Sequence, residues 1–187
     1  MIPESQDVEF FGDHSIGPMQ YGPLKRNLLP FPPILQEIKK KLDHFWQISP
    51  VLSNYRSPLN AVLVNYYKNG KDSMGYHSDI EPALGARPIL LSLSLGAVQK
   101  FNFQHKQLAK QHSTFLRDGT VLIMLGSSIQ ENWKHGLPKD KNISSDRWNL
   151  SFWFHLSATD VTHMLKLTGN DKSSAAIKLA CKLLKLK

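Results

Sequence analysis

Six short apolar runs follow one another between residues 61 and 154, and this succession constrains the fold more than any other feature of the sequence. Gly, Pro, Asn or Asp residues, which favour turns, bound the runs. No helical pattern separates one run from the next, as a parallel βαβ fold would require. The runs cover residues 61–67, 89–95, 100–104, 114–117, 120–125 and 148–154. They predict a mainly β fold with flanking helices, either a sandwich or a jelly roll.

Two local patterns refine this prediction. In residues 91–95, LSLSL, the leucines fall on one face of an extended chain and the serines on the other. Asp118 and Gly119 lie between two apolar runs, and Asp-Gly in that position is typical of a tight hairpin turn. We therefore predict a β-hairpin at residues 118–119.

One long amphipathic segment precedes the strands. After Pro32 and Pro33, apolar residues recur at intervals of three and four through residues 34–48, which predicts a helix. The apolar stripe comprises Ile34, Leu35, Ile38, Leu42, Phe45 and Trp46. We expect this stripe to pack on a sheet, with Lys39, Lys40 and Lys41 pointing outward.

The composition limits the class of protein. With 187 residues, 41% hydrophobic and 20% charged, the chain is expected to fold as one soluble globular domain. No run approaches the roughly 20 apolar residues of a membrane helix, and the N-terminus lacks the pattern of a secretory signal. A single cysteine, Cys181, excludes an intrachain disulfide and a cysteine-rich zinc site. Any metal must therefore be bound by His and carboxylate side chains.

The net charge of +8 favours a polyanionic partner such as nucleic acid. Several lysines fall in residues 171–187, DKSSAAIKLACKLLKLK, which has the pattern of a basic amphipathic helix. Docking on the domain, contact with nucleic acid, membrane-surface binding and a simply solvated helix face all remain open for this segment.

His77 and Asp79 form the most informative polar pair. They lie two residues apart, and on an extended backbone residues i and i+2 point to the same face. A second histidine, His135, would complete the two-histidine, one-carboxylate triad that binds Fe(II) and leaves three coordination positions open. For His-X-Asp alone, a surface loop or a simple hydrogen-bonded pair is the alternative interpretation.

Two further pairs with the same spacing fit such a site. Arg147 and Asn149 share one face of the last predicted strand, and Asn65 and Tyr67 share one face of the first. If a keto-acid dicarboxylate chelates the metal, its far carboxylate needs a cation. The guanidinium of Arg147 supplies one with paired hydrogen bonds. Asn65 and Tyr67 would add donors.

Two large apolar residues lie beside a glycine near the N-terminus, in Phe10-Phe11-Gly12. One interpretation is ordinary core packing. The other is an exposed apolar wedge at a loop tip, of the kind that enters a base stack.

Together these segments resemble the AlkB family of Fe(II)/2-oxoglutarate-dependent dioxygenases, and most closely its DNA-repair branch. The similarity covers roughly residues 8–154 in the order found in the family. It is carried by residues 65–70, 75–82, 88–89, 92–97, 119–124, 133–139 and 147–152. The resemblance implies a double-stranded β-helix, the jelly-roll or cupin-like fold. It also implies a nucleotide-recognition lid and support helix in residues 1–58 and the dioxygenase core in 59–155. The basic amphipathic tail in residues 156–187 is unlike the family and follows from the composition alone.

The resemblance implies a role for each matching residue. His77, Asp79 and His135 would form the catalytic metal site. Arg147, Asn65 and Tyr67 would bind the distal carboxylate of 2-oxoglutarate, with Asn149 near its iron-bound end. Contacts to the substrate base or to the gap that it leaves would come from Glu81, Phe10, Phe11 and Gly12.

The implied activity is oxidative demethylation of alkylated bases such as 1-methyladenine and 3-methylcytosine in DNA repair. The reaction would use Fe(II) as its metal and would consume O₂ and 2-oxoglutarate. It would release formaldehyde, succinate and CO₂. The partner would be alkylated DNA or RNA, bound by a monomer that is not at a membrane. The compartment would be the nucleus in a eukaryote or the cytoplasm in a bacterium. Because the oxidised carbon lies on a Watson–Crick edge, the base must be flipped or single-stranded.

The sequence departs from the family pattern in three places. Trp153 stands six residues after Arg147, where the family usually has a second arginine. Residues 21–31 lack the family's aromatic pair that stacks on the flipped base, although Tyr21 or Phe31 could substitute. The chain begins late relative to the family, as a shortened form or a gene fragment would. These departures leave two alternatives open: a dioxygenase of the same fold acting on RNA or protein, and a catalytically impaired nucleic-acid-binding relative.

Overall fold

The computed structural model of the protein describes residues 7–21, 24–50, 52, 59–84 and 88–155. The strands are β1 (Asp7–Gly12), β2 (Met19–Tyr21), β3 (Leu24–Arg26), β4 (Ala61–Tyr67), β5 (Met74–His77), β6 (Ile89–Gly96), β7 (Gln99–His105), β8 (Gln111–Leu116), β9 (Val121–Leu125), β10 (Trp133–Leu137) and β11 (Arg147–Trp153). The helices are α1 (Pro33–Ile48) and α2 (Gly126–Asn132), with a single 3-10 turn at Pro82–Leu84. None of the helices in this part of the chain is both long and apolar enough to cross a membrane.

The strands form two main sheets whose neighbours are seldom consecutive in the chain. A five-stranded sheet has the order β1-β4-β11-β6-β9, and a four-stranded sheet has the order β5-β10-β7-β8. β2 and β3 pair antiparallel in a separate two-stranded sheet. From β4 onward the chain passes back and forth between the two main sheets, as in a jelly roll. This confirms the prediction of a mainly β, double-stranded β-helix fold.

The core of this β structure is a cluster of large apolar side chains drawn from both sheets. Its buried members are Tyr67, Phe101, Leu116 and Leu137. Tyr67 belongs to the five-stranded sheet and the other three to the four-stranded sheet. The inner faces of the two sheets therefore share one apolar layer, and that layer fixes the side chains of the neighbouring inward positions.

The chain divides into two compact units. One comprises Met1–Glu9, Val62–Ile80 and Pro88–Phe152 and contains most of the β structure. The other comprises Phe10–Ala61, Glu81–Arg87 and Trp153–Lys187 and contains α1. The predicted division at residues 58 and 155 stays a prediction, and the predicted basic helix in residues 171–187 lies outside the described residues.

All six predicted strands are present, each within three residues of its predicted ends. The sequence patterns missed β1, β2, β3, β5, β10 and helix α2. Most of these elements are short, and β5 reads MGYH, with a glycine and no run of apolar residues. Such a strand forms because a neighbouring strand offers hydrogen bonds to it, and the local sequence does not show that neighbour.

The hairpin predicted at residues 118–119 is wrong, although the turn is real. β8 ends before the turn and β9 begins after it, but they lie in different sheets, and β9 pairs with β6 through Leu93 opposite Val121. Gly119 has a φ of 72° and its N–H donates to the carbonyl of Ser94 at 2.8 Å. Asp-Gly reverses the chain at this corner, but long-range packing selects the strand that each arm joins.

Helix α1 matches its prediction in extent but not in every face. Leu35, Leu42 and Trp46 are buried, whereas Ile34 and Phe45 are 62% and 41% exposed. The buried stripe is therefore narrower than the periodicity suggested. Lys39 does not point freely outward, because its ammonium group lies 2.8 Å from Asp43 Oδ2 with its side chain only 19% exposed.

The exposed-wedge interpretation of Phe10-Phe11-Gly12 is wrong, because these residues end strand β1 and are not at a loop tip. Phe10 has no exposed surface, and Phe11 is half-buried. Phe11 also forms a β-bridge with Leu29. A Cβ at Gly12 would lie 2.8 Å from a methyl carbon of Leu28, so the glycine is there for close packing. These contacts are the core packing that the alternative interpretation described.

Candidate metal and cosubstrate site

The three predicted metal ligands come together in one unit of the structure. His77 ends β5, Asp79 follows in the loop, and His135 lies in β10 directly opposite His77 in the antiparallel ladder. One ligand atom from each residue lies within 4.8 Å of the other two. We call these three residues the metal cluster.

The geometry within the metal cluster leaves ring nitrogens and carboxylate oxygens facing one another. His77 Nε2 is 3.7 Å from Asp79 Oδ1, and His135 Nε2 is 3.3 Å from Asp79 Oδ2. The Nδ1 atom of His77 lies 2.9 Å from the carbonyl oxygen of Gly75. Because a carbonyl can only accept, Nδ1 is the nitrogen that donates to it, and Nε2 is the ring nitrogen that faces Asp79 and is available to a metal.

Burial sets the charges of the metal cluster. Burial lowers the pKa of His135 to about 3, assisted by the nearby His77, so its imidazole is neutral at pH 7. Burial raises the pKa of Asp79 above its ordinary value, although His77 and a hydrogen bond from Gln130 act in the opposite direction. A buried carboxylate and two imidazole nitrogens stabilise a divalent cation placed between them, and the cation removes the cost of burying the carboxylate. The donor set therefore fits Fe(II).

Gln130 of helix α2 supports the carboxylate ligand, and the sequence patterns did not reveal it. Its Oε1 accepts a hydrogen bond from the backbone N–H of Asp79 at 2.9 Å, and its Nε2 lies 3.4 Å from Asp79 Oδ2. Only 1% of Gln130 is exposed. In the sequence, only its position five residues before His135 places it near a predicted metal ligand.

Arg147, Asn65 and Tyr67 lie in neighbouring strands of the five-stranded sheet, β11 and β4. We call them the arginine cluster. All three are buried, and the guanidinium carbon of Arg147 lies 5.4 Å from the centre of the Tyr67 ring. One terminal nitrogen of Arg147 donates to Ser94 Oγ at 2.8 Å. Burial lowers the pKa of this arginine from its ordinary high value, but the side chain stays charged.

The arginine cluster contains buried polar atoms that nothing in the described residues satisfies. They are Nε of Arg147 and both amide atoms of Asn65. A buried polar group without a partner costs about 1–3 kcal/mol, so groups of this kind indicate a ligand. A carboxylate would accept hydrogen bonds from both the guanidinium and the amide. The distal carboxylate of 2-oxoglutarate is a group of this kind.

One aromatic ring connects the metal cluster with the arginine cluster. Phe101 stacks on His135 with ring centres 5.6 Å apart, and it belongs to the same buried apolar cluster as Tyr67. Both clusters therefore border the same layer between the two sheets. This arrangement suits one ligand that reaches from a metal to a guanidinium.

Asn149 differs from its predicted partner Arg147, because protein groups already engage its amide. Nδ2 donates to Ser92 Oγ at 2.6 Å and lies 3.3 Å from the carbonyl oxygen of Leu93, and Oδ1 accepts from Ser151 Oγ at 3.2 Å. Direct contact with a ligand would require one of these bonds to be exchanged. The predicted role of Asn149 near the iron-bound end of 2-oxoglutarate stays a prediction.

The serines of β6 were visible in the sequence as an alternating face but were not recognised as part of the site. Ser92 and Ser94 are both buried and hold Asn149 and Arg147, respectively. The polar face of β6 therefore lies inside the protein and orients two side chains of β11.

The remaining predicted residues have less specific surroundings. Trp153 ends β11, is 3% exposed, and has an indole N–H with no hydrogen-bond partner in the described residues. Glu81 is half-buried, and its carbonyl accepts from the N–H of Leu84 at 3.0 Å. Phe31 is half-buried before α1, and Tyr21 ends β2. Substrate contacts by Glu81, Tyr21 or Phe31 stay predictions.

The fold and the metal cluster define a class: jelly-roll proteins with a two-histidine, one-carboxylate metal site. Within that class the chain belongs to the 2OG-Fe(II) oxygenase superfamily, whose model matches residues 12–164. Fe(II) and 2-oxoglutarate are the metal and cosubstrate that this superfamily and the metal cluster indicate together.

Curated relatives support an AlkB-like member of this superfamily. The human alpha-ketoglutarate-dependent dioxygenase alkB homolog 3 is 34% identical over 129 residues, covering 64% of this chain and 42% of that protein. The human DNA oxidative demethylase ALKBH2 is 33% identical over 131 residues, covering 66% of this chain and 46% of that protein. The chain thus spans less than half the length of these two relatives. The recognition of an AlkB-like sequence is confirmed.

A solved structure shares the fold. The structure of OsALKBH1 superposes with a TM-score of 0.54 at 19% sequence identity, covering 81% of this chain and 78% of that chain. At this identity the likeness concerns the fold alone.

Proposed function

We propose that the protein is an Fe(II)- and 2-oxoglutarate-dependent dioxygenase that demethylates alkylated bases in DNA. The substrates are lesions of the 1-methyladenine and 3-methylcytosine type, and the products are formaldehyde, succinate and CO₂. The observation that carries this proposal is the metal cluster, with its three ligand atoms within 4.8 Å of one another. The relative ALKBH2 is a DNA oxidative demethylase, which supports the choice of substrate.

The metal cluster would hold the iron on one face. His77 and His135 each present one ring nitrogen and Asp79 presents one carboxylate, so three positions remain for other ligands. When bound, Fe(II) and 2-oxoglutarate supply the activation of O₂ that oxidises the N-methyl carbon. Burial of Asp79 and His135 keeps water away from two of the three ligands.

The arginine cluster would bind the far carboxylate of 2-oxoglutarate. Arg147 supplies a buried positive charge and an Nε–H that no described residue accepts, and the amide of Asn65 supplies a further donor. Tyr67 lies against the guanidinium and limits where it can move. Ser94 holds one terminal nitrogen of Arg147, so the cation is oriented before the ligand arrives.

DNA is the proposed partner because the chain carries a net charge of +8 and its relatives include DNA oxidative demethylases. The base reaches the metal from a single strand or after flipping. We place Glu81 beside the base, as predicted from the sequence. The protein acts as a monomer, in the nucleus of a eukaryotic cell or the cytoplasm of a bacterial one.

A second candidate function is that of a catalytically impaired relative which binds nucleic acid. It is favoured by Trp153, a buried side chain without positive charge at the position that usually carries the family's second arginine. Indole cannot neutralise a carboxylate, so in this candidate function turnover of 2-oxoglutarate is lost while metal and DNA binding persist.

The test is anaerobic loading with Fe(II) and 2-oxoglutarate, followed by O₂ and a single-stranded oligonucleotide that contains 1-methyladenine or 3-methylcytosine. Equal amounts of formaldehyde and succinate, absent with an unmethylated oligonucleotide, are expected. Succinate without formaldehyde would show that the iron site is active but that the substrate is methylated RNA or a protein and not methylated DNA. Neither product from folded, iron-loaded protein would support the impaired relative, and recovery of turnover in Trp153→Arg would identify the cause.

A further inference from the structure

We propose that Gln130 is a positioning residue for the metal ligand Asp79, and that helix α2 is thereby part of the metal site. The inference rests on the proposed function only in taking Asp79 as a metal ligand. It adds a residue that touches neither metal nor substrate and acts through the ligand that it holds.

The two contacts between Gln130 and Asp79 use both ends of one side-chain amide. The carbonyl end accepts from the backbone N–H of Asp79 at 2.9 Å, and the nitrogen end lies 3.4 Å from carboxylate oxygen Oδ2. The first contact fixes the main chain of the ligand and the second fixes the rotation of its carboxylate. By holding both the main chain and one carboxylate oxygen of Asp79, Gln130 restrains the direction in which the other oxygen, Oδ1, points.

Asp79 needs such support because it does not lie within a strand. β5 ends at His77, so no ladder hydrogen bond of that strand holds the backbone two residues later. Ser78 between them is held by a hydrogen bond from its Oγ to the carbonyl of Trp133 at 2.8 Å. Ser78 and Gln130 together replace the sheet as the restraint on the loop that carries the ligand.

Gln130 is itself held from outside the metal site. Its backbone carbonyl accepts from Lys106 Nζ at 2.7 Å, and the N–H of Lys106 donates to the carbonyl of Asn132 at 2.8 Å. Lys106, in the loop between β7 and β8, thus fixes the end of α2 through two hydrogen bonds. Because α2 is a short helix, these hydrogen bonds stabilise it where a longer helix would be stabilised by its own turns.

Glutamine suits this position because its amide is both a donor and an acceptor and carries no charge. Glutamate would place a second carboxylate against Asp79, and leucine would remove both hydrogen bonds while keeping a similar volume. Loss of an outer hydrogen-bond partner of a metal ligand typically lowers metal affinity about 10- to 100-fold.

The experiment is a Co(II) titration of the full chain without oxygen, 2-oxoglutarate or DNA, followed by visible absorption. Gln130→Leu is compared with Gln99→Leu. Gln99 is a matched control, since it is also buried, at 2% exposed, and its Nε2 donates to the carbonyl of Pro138 at 3.0 Å. We expect the Kd for Co(II) to rise about 10- to 100-fold in Gln130→Leu and to stay within about twofold of wild type in Gln99→Leu.

A second variant keeps the test decisive if Gln130→Leu does not fold. Gln130→Asn retains the amide but is one methylene shorter, so it cannot reach the backbone N–H and the carboxylate together. We expect a smaller rise in Kd than for leucine, together with a changed Co(II) absorption spectrum that Gln99→Asn does not show.

Equal Co(II) affinity and spectra in wild type, Gln130→Leu and Gln130→Asn would overturn the inference. A rise in Kd of the same size in the Gln99 variants would also overturn it, since general loosening of the core would then be the cause. If wild-type protein binds no Co(II), the proposed function fails as well. Normal binding by the Gln130 variants leaves the proposed function intact and removes only the role of Gln130.

Discussion

The metal cluster and the arginine cluster lie in the same jelly roll but hold their polar groups differently. In the metal cluster, His77 is at a strand end and Asp79 is in a loop, so part of the support comes from outside the sheet, through Gln130. In the arginine cluster, Arg147 and Asn65 lie on neighbouring strands, and Ser94 of β6 orients the guanidinium. A metal can draw mobile ligands together, whereas a carboxylate is recognised best by donors already in place.

The electrostatic demands of the two clusters differ as well. The metal cluster buries a carboxylate whose pKa is raised, so it is short of positive charge. The arginine cluster buries a guanidinium whose Nε has no hydrogen-bond partner among the described residues, so it lacks an acceptor. A metal ion would meet the first need and, under the proposed function, the far carboxylate of 2-oxoglutarate would meet the second. Both clusters border the layer that contains Phe101, so one ligand could serve both.

The largest expected effect comes from breaking the metal cluster. His135→Ala removes a buried neutral ligand, so Co(II) binding and succinate formation should both fall below detection. His112→Ala is the control, because this histidine is exposed on β8 and contacts the ring of Trp133, not the metal cluster. Co(II) absorption and succinate release measure the outcome. Normal metal binding by His135→Ala would mean that the cluster is not the metal site.

The next effect tests the arginine cluster. Arg147→Leu should weaken 2-oxoglutarate binding by about 30-fold or more, since loss of one partner of a buried charge pair costs about 2–5 kcal/mol. Arg147→Lys keeps the charge but not the paired donors, and should lose less. Isothermal titration of Co(II)-loaded protein gives both values, and the exposed Arg117→Leu serves as control. We expect the Co(II) affinity of Arg147→Leu to equal that of wild type. A lower Co(II) affinity in this variant would show that the two clusters are not independent.

Metal binding should stabilise the protein by a measurable amount. At a free Co(II) concentration of 100 times Kd, the free energy of unfolding rises by about 2.7 kcal/mol. For a chain of this length, that raises Tm by about 5–10 °C. Differential scanning fluorimetry with and without Co(II) measures the shift.

Asp79→Asn sharpens this comparison. The pKa of Asp79 in the folded protein is raised above its unfolded value of 3.8. Protonated Asp79 therefore contributes to stability below pH 3.8, and this contribution is lost as the pH rises through the folded-state pKa. Without metal at pH 7, Asp79→Asn should therefore be no less stable than wild type, while its Tm gain on adding Co(II) disappears. A metal-free variant clearly less stable than wild type would contradict this account of the charge.

The smallest effect concerns the serines of β6. Ser94→Ala removes one hydrogen bond from the Arg147 guanidinium, and a loss of about 0.5–1.5 kcal/mol corresponds to a rise in KM for 2-oxoglutarate of about 2- to 13-fold. Ser113→Ala, an exposed serine bonded to Asn102 on the outer face, is the matched control. Steady-state succinate formation measures KM. No difference between the two variants would mean that Arg147 is oriented by Tyr67 and the strand alone.

Much of the fold follows from local pattern. The strand at residues 61–67 has the predicted bounds, and α1 begins one residue before its predicted start. These elements have clear periodicity, and turn residues bound them. The fold class also followed from the sequence, because six strands without crossover helices leave few architectures. The prediction was weakest where a short strand such as β5 depends on its partner.

The sequence by itself determined the residue types of the site: the spacing of His77 and Asp79, the basic residue at Arg147, and the alternating serines of β6. The tertiary structure alone decided which groups meet. It separated the strands on either side of Gly119, buried Phe10, and brought Gln130 against Asp79. Local pattern fixes periodicity through neighbouring residues, whereas strand partners and burial depend on residues far apart in the chain, whose contacts form only when the two sheets pack.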